Sequence, residues 1–198
     1  MGAAVGNVLS QSFYARCSSE VARDLLGAEL RHETTDGSAA GRIVETEAYL
    51  GAEPACHGFR GRTERNAALF GGPGRAYVYL SYGVHWLLNA VCGSSGDACG
   101  VLIRAIEPTH GLALMRHRRA RCDTRQLASG PGKLTKALGV DGTQNAAGLC
   151  AGALTISAGL TEPGPITVSR RIGISKAIDL PLRFHVTGSR CVSRPAQG

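Results

Sequence analysis

The chain has 198 residues, 43% of them apolar, and a formal charge of +7. That size suits one domain with a substantial core, and no apolar run approaches the roughly 20 residues of a membrane helix, so a disordered tail and a membrane-spanning protein are both excluded. Arginine supplies 19 of the 22 basic residues, a bias that favours polyanions, nucleic acid ahead of acidic membrane, although codon usage can produce it too.

Residues 1–10 carry neither a basic leader nor a long apolar stretch, which predicts no signal peptide and a cytoplasmic protein. Ser19 is placed as the N-cap of a first helix, with Glu20 in its first turn, Val21, Ala22, Leu25 and Leu26 at helical spacing and Gly27 as the stop. Strands are predicted over 28–33 and 41–50, joined through Thr34-Thr35-Asp36-Gly37. Residues 51–75, rich in Gly, Pro and Arg, read as loop with a short helix starting after Thr63. Residues 75–82 alternate as a strand; 87–91 and 100–106 are further strands, joined by the turn-rich 93–99. Thr109 is predicted to cap a helix ending in Arg116, Arg118, Arg119 and Arg121. Gly130-Pro131-Gly132-Lys133 opens another short helix that Gly139 closes, and short strands, 182–187 among them, complete the last third. This order predicts a single α+β domain over 1–198 with a mainly antiparallel sheet. The seven cysteines are odd in number and form neither a C-x-x-C nor a zinc-ligand spacing, so free thiols are expected and no metal; a Cys92–Cys99 bridge is conceivable.

Three segments carry chemistry. On a strand, Ile43, Glu45, Glu47 and Tyr49 share one face. Two carboxylates beside an aromatic, leading into a Gly-rich loop, suggest a site; a polar sheet face paired to arginines is the bland alternative. Four of the ten aromatics fall in 77–86. Tyr77 and Tyr79 share a face, with Tyr77 and Trp86 assigned to the core, while Tyr82 before Gly83 is the candidate wedge, because glycine permits a sharply turned, exposed backbone. Arg60, Arg62 and Arg65 around a helix start, and Lys133 in Gly130–Lys133, are placed to meet phosphates. The latter lacks the full phosphate-loop pattern, and any single arginine here is as readily a solvated side chain.

The blocks RIVETEAYLG, His57, RGRTERN, YVYLSYG, VLIRAIEP, SGPGKL and PLRFHVTGS, in this order and across nearly the whole chain, resemble the alkyladenine (3-methyladenine) DNA glycosylase family. The resemblance implies one α+β domain with a curved antiparallel sheet flanked by short helices, similar to formyltransferase C-terminal domains. It implies a monomer that acts on double-stranded DNA, flips 3-methyladenine, 7-methylguanine, ethenoadenine or hypoxanthine, and releases it without cofactor or metal. By position, Glu47 corresponds to the water-activating base, Arg104 to a residue that helps hold the water, and Ile172 to a backbone carbonyl that contacts it. Tyr49, His57 and Tyr79 correspond to walls of the base pocket, Asn89 to the residue that disfavours guanine, and Tyr82 to the group that fills the vacated stack. The loop between Glu47 and His57 is one residue shorter than in mammalian relatives, and the stretch from Asn89 to Arg104 is longer. Lacking a long basic N-terminal extension, the chain is expected to be a bacterial-type, nucleoid-associated enzyme.

The chemistry is consistent with these residues. Electron-rich rings attract cationic N-alkylated purines by about 0.5–2 kcal/mol, and a carboxylate can both deprotonate water and stabilise an oxocarbenium-like sugar. With only three lysines, none near Glu47 or Tyr79 in sequence, water rather than an amine is the expected nucleophile. The rivals are a non-catalytic damaged-DNA-binding protein, a glycan hydrolase using Glu45 and Glu47, and an RNA-binding accessory domain.

Overall fold

The computed structural model, which describes residues 6–120 and 123–194, places a 13-residue strand at its centre. Arg121 and Cys122, like residues 1–5, lie outside the described residues. Two short helices come first, α1 (Gln11–Tyr14) and α2 (Ser18–Asp24). The strands are β1 (Glu29–Thr34), β2 (Gly37–Tyr49), β3 (Ala76–Ser81), β4 (His85–Cys92), β5 (Cys99–His110), β6 (Leu154–Ser157), β7 (Ile166–Ser169) and β8 (Arg183–Val186). Between β5 and β6 stand α3 (Leu112–Arg119) and α4 (Pro131–Leu138).

The strands form one sheet in the order β3-β4-β5-β2-β1-β6, with β8 pairing β2 and β7, and each named strand pairing is antiparallel. The α+β architecture expected from the sequence is what forms. β2 is paired on both edges: β5 runs along one, while β1 covers the first half of the other and β8 takes over at Glu45–Glu47. Where β8 takes over, the β2–β5 register slips between Ile43 and Glu45 and slips back before Thr46. Bulges of this kind re-aim side chains. Here they separate the buried apolar Ile43 from Glu45 and Glu47, which turn to a common arginine.

The main core gathers α2, α4 and the inward residues of β1, β2 and β5, including Leu25, Leu30, Ile103 and Leu134. A second, smaller cluster of Cys56, Leu69, Tyr77, Val91 and Ala98 supports Tyr49 and Tyr79 from beneath. The 93–98 loop packs near the 51–58 loop. Cys56 Sγ donates to the Ala98 carbonyl at 3.2 Å, and Gly96 N–H to the Phe70 carbonyl at 3.1 Å.

Several boundaries differ from expectation. Ser19 lies inside α2, whose N-cap is Cys17, because the helix begins two residues earlier than expected. The helix after Thr63 is a 3₁₀ turn over Ala67–Phe70, so Arg60, Arg62 and Arg65 precede no α-helix. Thr109 belongs to β5, where its hydroxyl donates to Glu29 at 3.2 Å. α3 is entered instead through Gly111 at φ 72°, where a Cβ would lie 2.2 Å from the Ser38 carbonyl oxygen. α4 does open at Pro131 and close at Gly139. Cys92 and Cys99 face each other across the β4–β5 pair as free thiols, as are Cys17, Cys56, Cys150 and Cys191.

Candidate active site

Glu45 and Glu47 are both fully buried on β2, and the protein treats them differently. Glu45 receives Arg183 Nε at 2.7 Å, Arg104 Nε at 3.0 Å, the Ser193 hydroxyl at 2.8 Å and the Ser193 backbone N–H. Burial works against its charge, but Arg104, the Ser193 N–H and Arg183 outweigh burial and hold its carboxyl below the ordinary range. Glu47 receives the Ile172 N–H at 2.7 Å on one oxygen. On the other it receives the Tyr49 hydroxyl at 2.9 Å and faces Arg104 Nη1 at 3.1 Å. Here burial dominates, and the Glu47 carboxyl is pushed above its ordinary 4.5 despite Arg104, Ile172 and Tyr49. Two carboxylates driven apart by their surroundings are the usual sign of divided roles. A carboxylate offers about four acceptor positions. Glu47 spends three of them on these partners, all of which line the adjoining cavity, while Glu47 itself stands one layer behind the wall.

That cavity has a volume of about 1020 Å³. One wall is aromatic: Tyr77 and Tyr79, two apart on β3, stack at 5.3 Å, and the His57 ring meets Tyr79 edge-on at 4.5 Å. The Tyr77 hydroxyl and His57 Nδ1 are 3.0 Å apart. His57 is held on its loop by Asn66, whose amide donates to the His57 and Gly61 carbonyls at 2.9 and 3.0 Å. Burial, reinforced by Arg65, depresses the His57 pKa and so favours the neutral ring. Tyr49 borders the cavity as well, with one ring face covered by the Arg171 guanidinium at 4.6 Å. Asn89 donates to the Tyr77 carbonyl at 3.1 Å, which fixes its amide at the cavity wall.

At the mouth, the β3–β4 hairpin turns through Tyr82 and Gly83 at φ 50° and 72°, closed by the Val84 N–H on the Ser81 carbonyl at 3.0 Å. Both central residues have positive φ, the geometry that matches hairpin twist. Tyr82 is thereby left 93% exposed, the extreme for a large apolar side chain among the described residues. Arg65, Arg119, Lys133 and Lys136 also border the cavity. Arg62 is exposed but does not line it.

The structure thus brings Tyr49, His57, Tyr79, Tyr82, Asn89, Arg65, Arg104, Lys133 and Ile172 to one cavity and sets Glu47 behind it; Arg62 stands apart. Sequence reasoning gave no role to Arg171, Glu53, Arg183 or Ser193. Arg171 bonds the Ala48 carbonyl at 2.8 Å and pairs with Glu53, so it braces the end of β2. One signal was available: Arg183 and His185 alternate with Phe184 and Val186 in a strand that is otherwise apolar. Tyr77, assigned to the core, is buried there and also faces the cavity. Lys133 and Lys136 approach the site only through the fold.

The fold thus sets a buried acid–arginine centre beside an aromatic cavity with basic side chains at its border, on a single antiparallel-sheet domain. The methylpurine-DNA glycosylase family (MPG) matches residues 12–190, and the chain belongs to it, a DNA glycosylase of base-excision repair. It is 52% identical over 191 residues to a "Putative 3-methyladenine DNA glycosylase" of Rhodopseudomonas palustris, covering 96% of this chain and 93% of the relative. Proteins of the same name from Bradyrhizobium diazoefficiens and Methanoculleus marisnigri are 49% and 48% identical, covering 96% and 94% of this chain and 93% and 98% of those relatives. Among the described residues no helix is long and apolar enough to cross a membrane, and no three His, Cys, Asp or Glu side chains are grouped to hold a metal ion.

Proposed function

We propose that this glycosylase takes an alkylated or deaminated purine out of double-stranded DNA into the aromatic cavity and releases it with a water activated by Glu47. The observation that carries this reading is the setting of Glu47: buried, raised in pKa, and tied to three groups of the cavity wall. Its ion pair with Arg104 is shared with Glu45, so Arg104 neutralises the pair without claiming the whole Glu47 carboxylate. A water entering between Arg104 and Ile172 meets the remaining acceptor position. Glu47 takes its proton as the water attacks C1′, the N-glycosidic bond breaks, and the bonding electrons leave with the base. The Ile172 carbonyl assists by holding that water.

Tyr49, with one face against Arg171, offers its other face to the base opposite Tyr79 and His57. Such rings favour 3-methyladenine and 7-methylguanine, which are cationic, by about 0.5–2 kcal/mol. Asn89 crowds the exocyclic amine of guanine, and Tyr82 fills the vacated stack. Ethenoadenine and hypoxanthine belong to the same proposed range. The protein acts as a monomer in the cytoplasm, at the nucleoid.

Glu47→Gln is expected to bind lesion duplexes as the native protein does and to release base at least ~100-fold more slowly. Release at the native rate removes Glu47 from the chemistry. The nearness of Lys133 and Lys136 to the cavity favours a second reading, amine attack through a Schiff base. Borohydride trapping of a covalent protein–DNA adduct would establish it; strand breaks that appear only after alkali support water.

A further inference from the structure

The polar centre behind the cavity does not end at Glu47. The segment after β8 folds back across it. Ser193 makes three contacts there: its N–H and its hydroxyl both bond Glu45, and its Oγ accepts Arg104 Nη2 at 3.2 Å. Arg183, itself fully buried, fastens the same segment by donating to the Arg194 carbonyl and reaches β7 through Ser169 Oγ at 3.0 Å. Cys191 is buried against the main core. Glu45, Glu47, Arg104 and Arg183 therefore form a neutral buried quartet in which Ser193 adds a second link, beside the direct Arg104–Glu45 bond, between the carboxylate of Glu45 and the guanidinium of Arg104.

From this geometry we infer that Ser193 is a positioning residue for base release: through Glu45 it fixes the Arg104 guanidinium against Glu47. The inference rests on the reading of Glu47 as the base. The physical reason is the forked shape of arginine. One guanidinium donates from Nε to Glu45, from Nη2 to Ser193 and from Nη1 toward Glu47, so two anchors set the direction of the third. Such outer contacts are worth having because a catalytic carboxylate must be held within a fraction of an ångström to act. The groups facing Glu47 are Arg104 from β5, Glu45 and Tyr49 from β2, Tyr79 from β3, and Arg171 with the Ile172 N–H from the segment after β7. Of these, Arg104 is the cation whose contact with Glu47 Ser193 controls. Loosening it removes the strongest influence that keeps the Glu47 proton off.

The test is single-turnover base release from a duplex with one hypoxanthine, measured from acid to neutral pH for the native protein, Ser193→Ala and Ser193→Thr. Ser193→Ala is expected to slow release about tenfold at neutral pH, the effect of losing a hydrogen bond to a charged group, and to move the acid limb of the profile to higher pH. Affinity for the duplex should hold, and Ser193→Thr, which keeps the hydroxyl, should restore both rate and limb. Native rate and an unmoved limb in Ser193→Ala overturn the inference. A slower rate with an unmoved limb, matched by a lowered melting temperature, also overturns it, since that is a merely structural role. Glu47→Gln run alongside separates the two levels: if it releases base normally, the reading of Glu47 fails whatever Ser193 does.

Discussion

At the scale of single residues, the informative contrast is between Glu45 and Glu47, two apart on one strand and both without solvent contact. What separates them is the number of cations each meets. Glu45 has two arginines and the Ser193 N–H; Glu47 shares one arginine and is otherwise bound by a neutral hydroxyl and one N–H. A general base must be unprotonated to work, and burial makes protonation of Glu47 easier. Base release is therefore expected to fall on the acid side with a midpoint above the ordinary 4.5 of a glutamate. A pH profile of single-turnover release that stays flat through that value would contradict the assignment. The pairing of both acids with arginine, the bland alternative from the sequence, is real and coexists with the cavity.

At the scale of elements, two devices position the chemistry. The paired irregularities in β2 and β5 turn Glu45, Glu47 and Arg104 together, and β8 seals the open edge of β2 at Glu45, Thr46 and Glu47. The β3–β4 hairpin does the reverse and drives a tyrosine outward. Its exposure costs the isolated protein apolar surface that something must cover, and a stack of bases offers such a surface. Tyr82→Ala is expected to weaken binding to a lesion duplex by about tenfold, since base–aromatic stacking is worth about 1–3 kcal/mol. Its melting temperature should not change, because the side chain touches little of the fold. Unchanged affinity in a fluorescence titration would remove the wedge role.

At the scale of the whole molecule, +7 of charge is not spread evenly with respect to function. Three arginines are consumed inside by Glu45, Glu47 and Glu53, whereas Arg65, Lys133 and Lys136 border the cavity. Each phosphate that such a cation meets releases counterions and contributes about −0.9 to the slope of log K against log salt. Three contacts predict a slope of about −2.7 for duplex binding, read by titration over a range of salt. A slope near zero would mean that these side chains do not meet the backbone.

Most of the strands and the turns were legible in the sequence, and the resemblance in the motif blocks pointed to several of the residues that line the cavity. Alternation, glycine punctuation and the clustering of tyrosines in 77–86 are local signals, legible within a few residues, and the motif blocks carried the family. Helix starts were less legible: Ser19 and Thr109 have good capping chemistry, yet packing began α2 at Ser18 and carried β5 on to His110. Only in the folded chain are the two carboxylates told apart, because Arg183 and Ser193, more than 130 positions from Glu45 in the chain, bond Glu45. It alone brought Lys133 and Lys136 to the cavity and laid Arg171 on Tyr49. Electrostatic partnership is a matter of distance in space, and spacing along a chain records it only where strand or helix geometry makes the two the same.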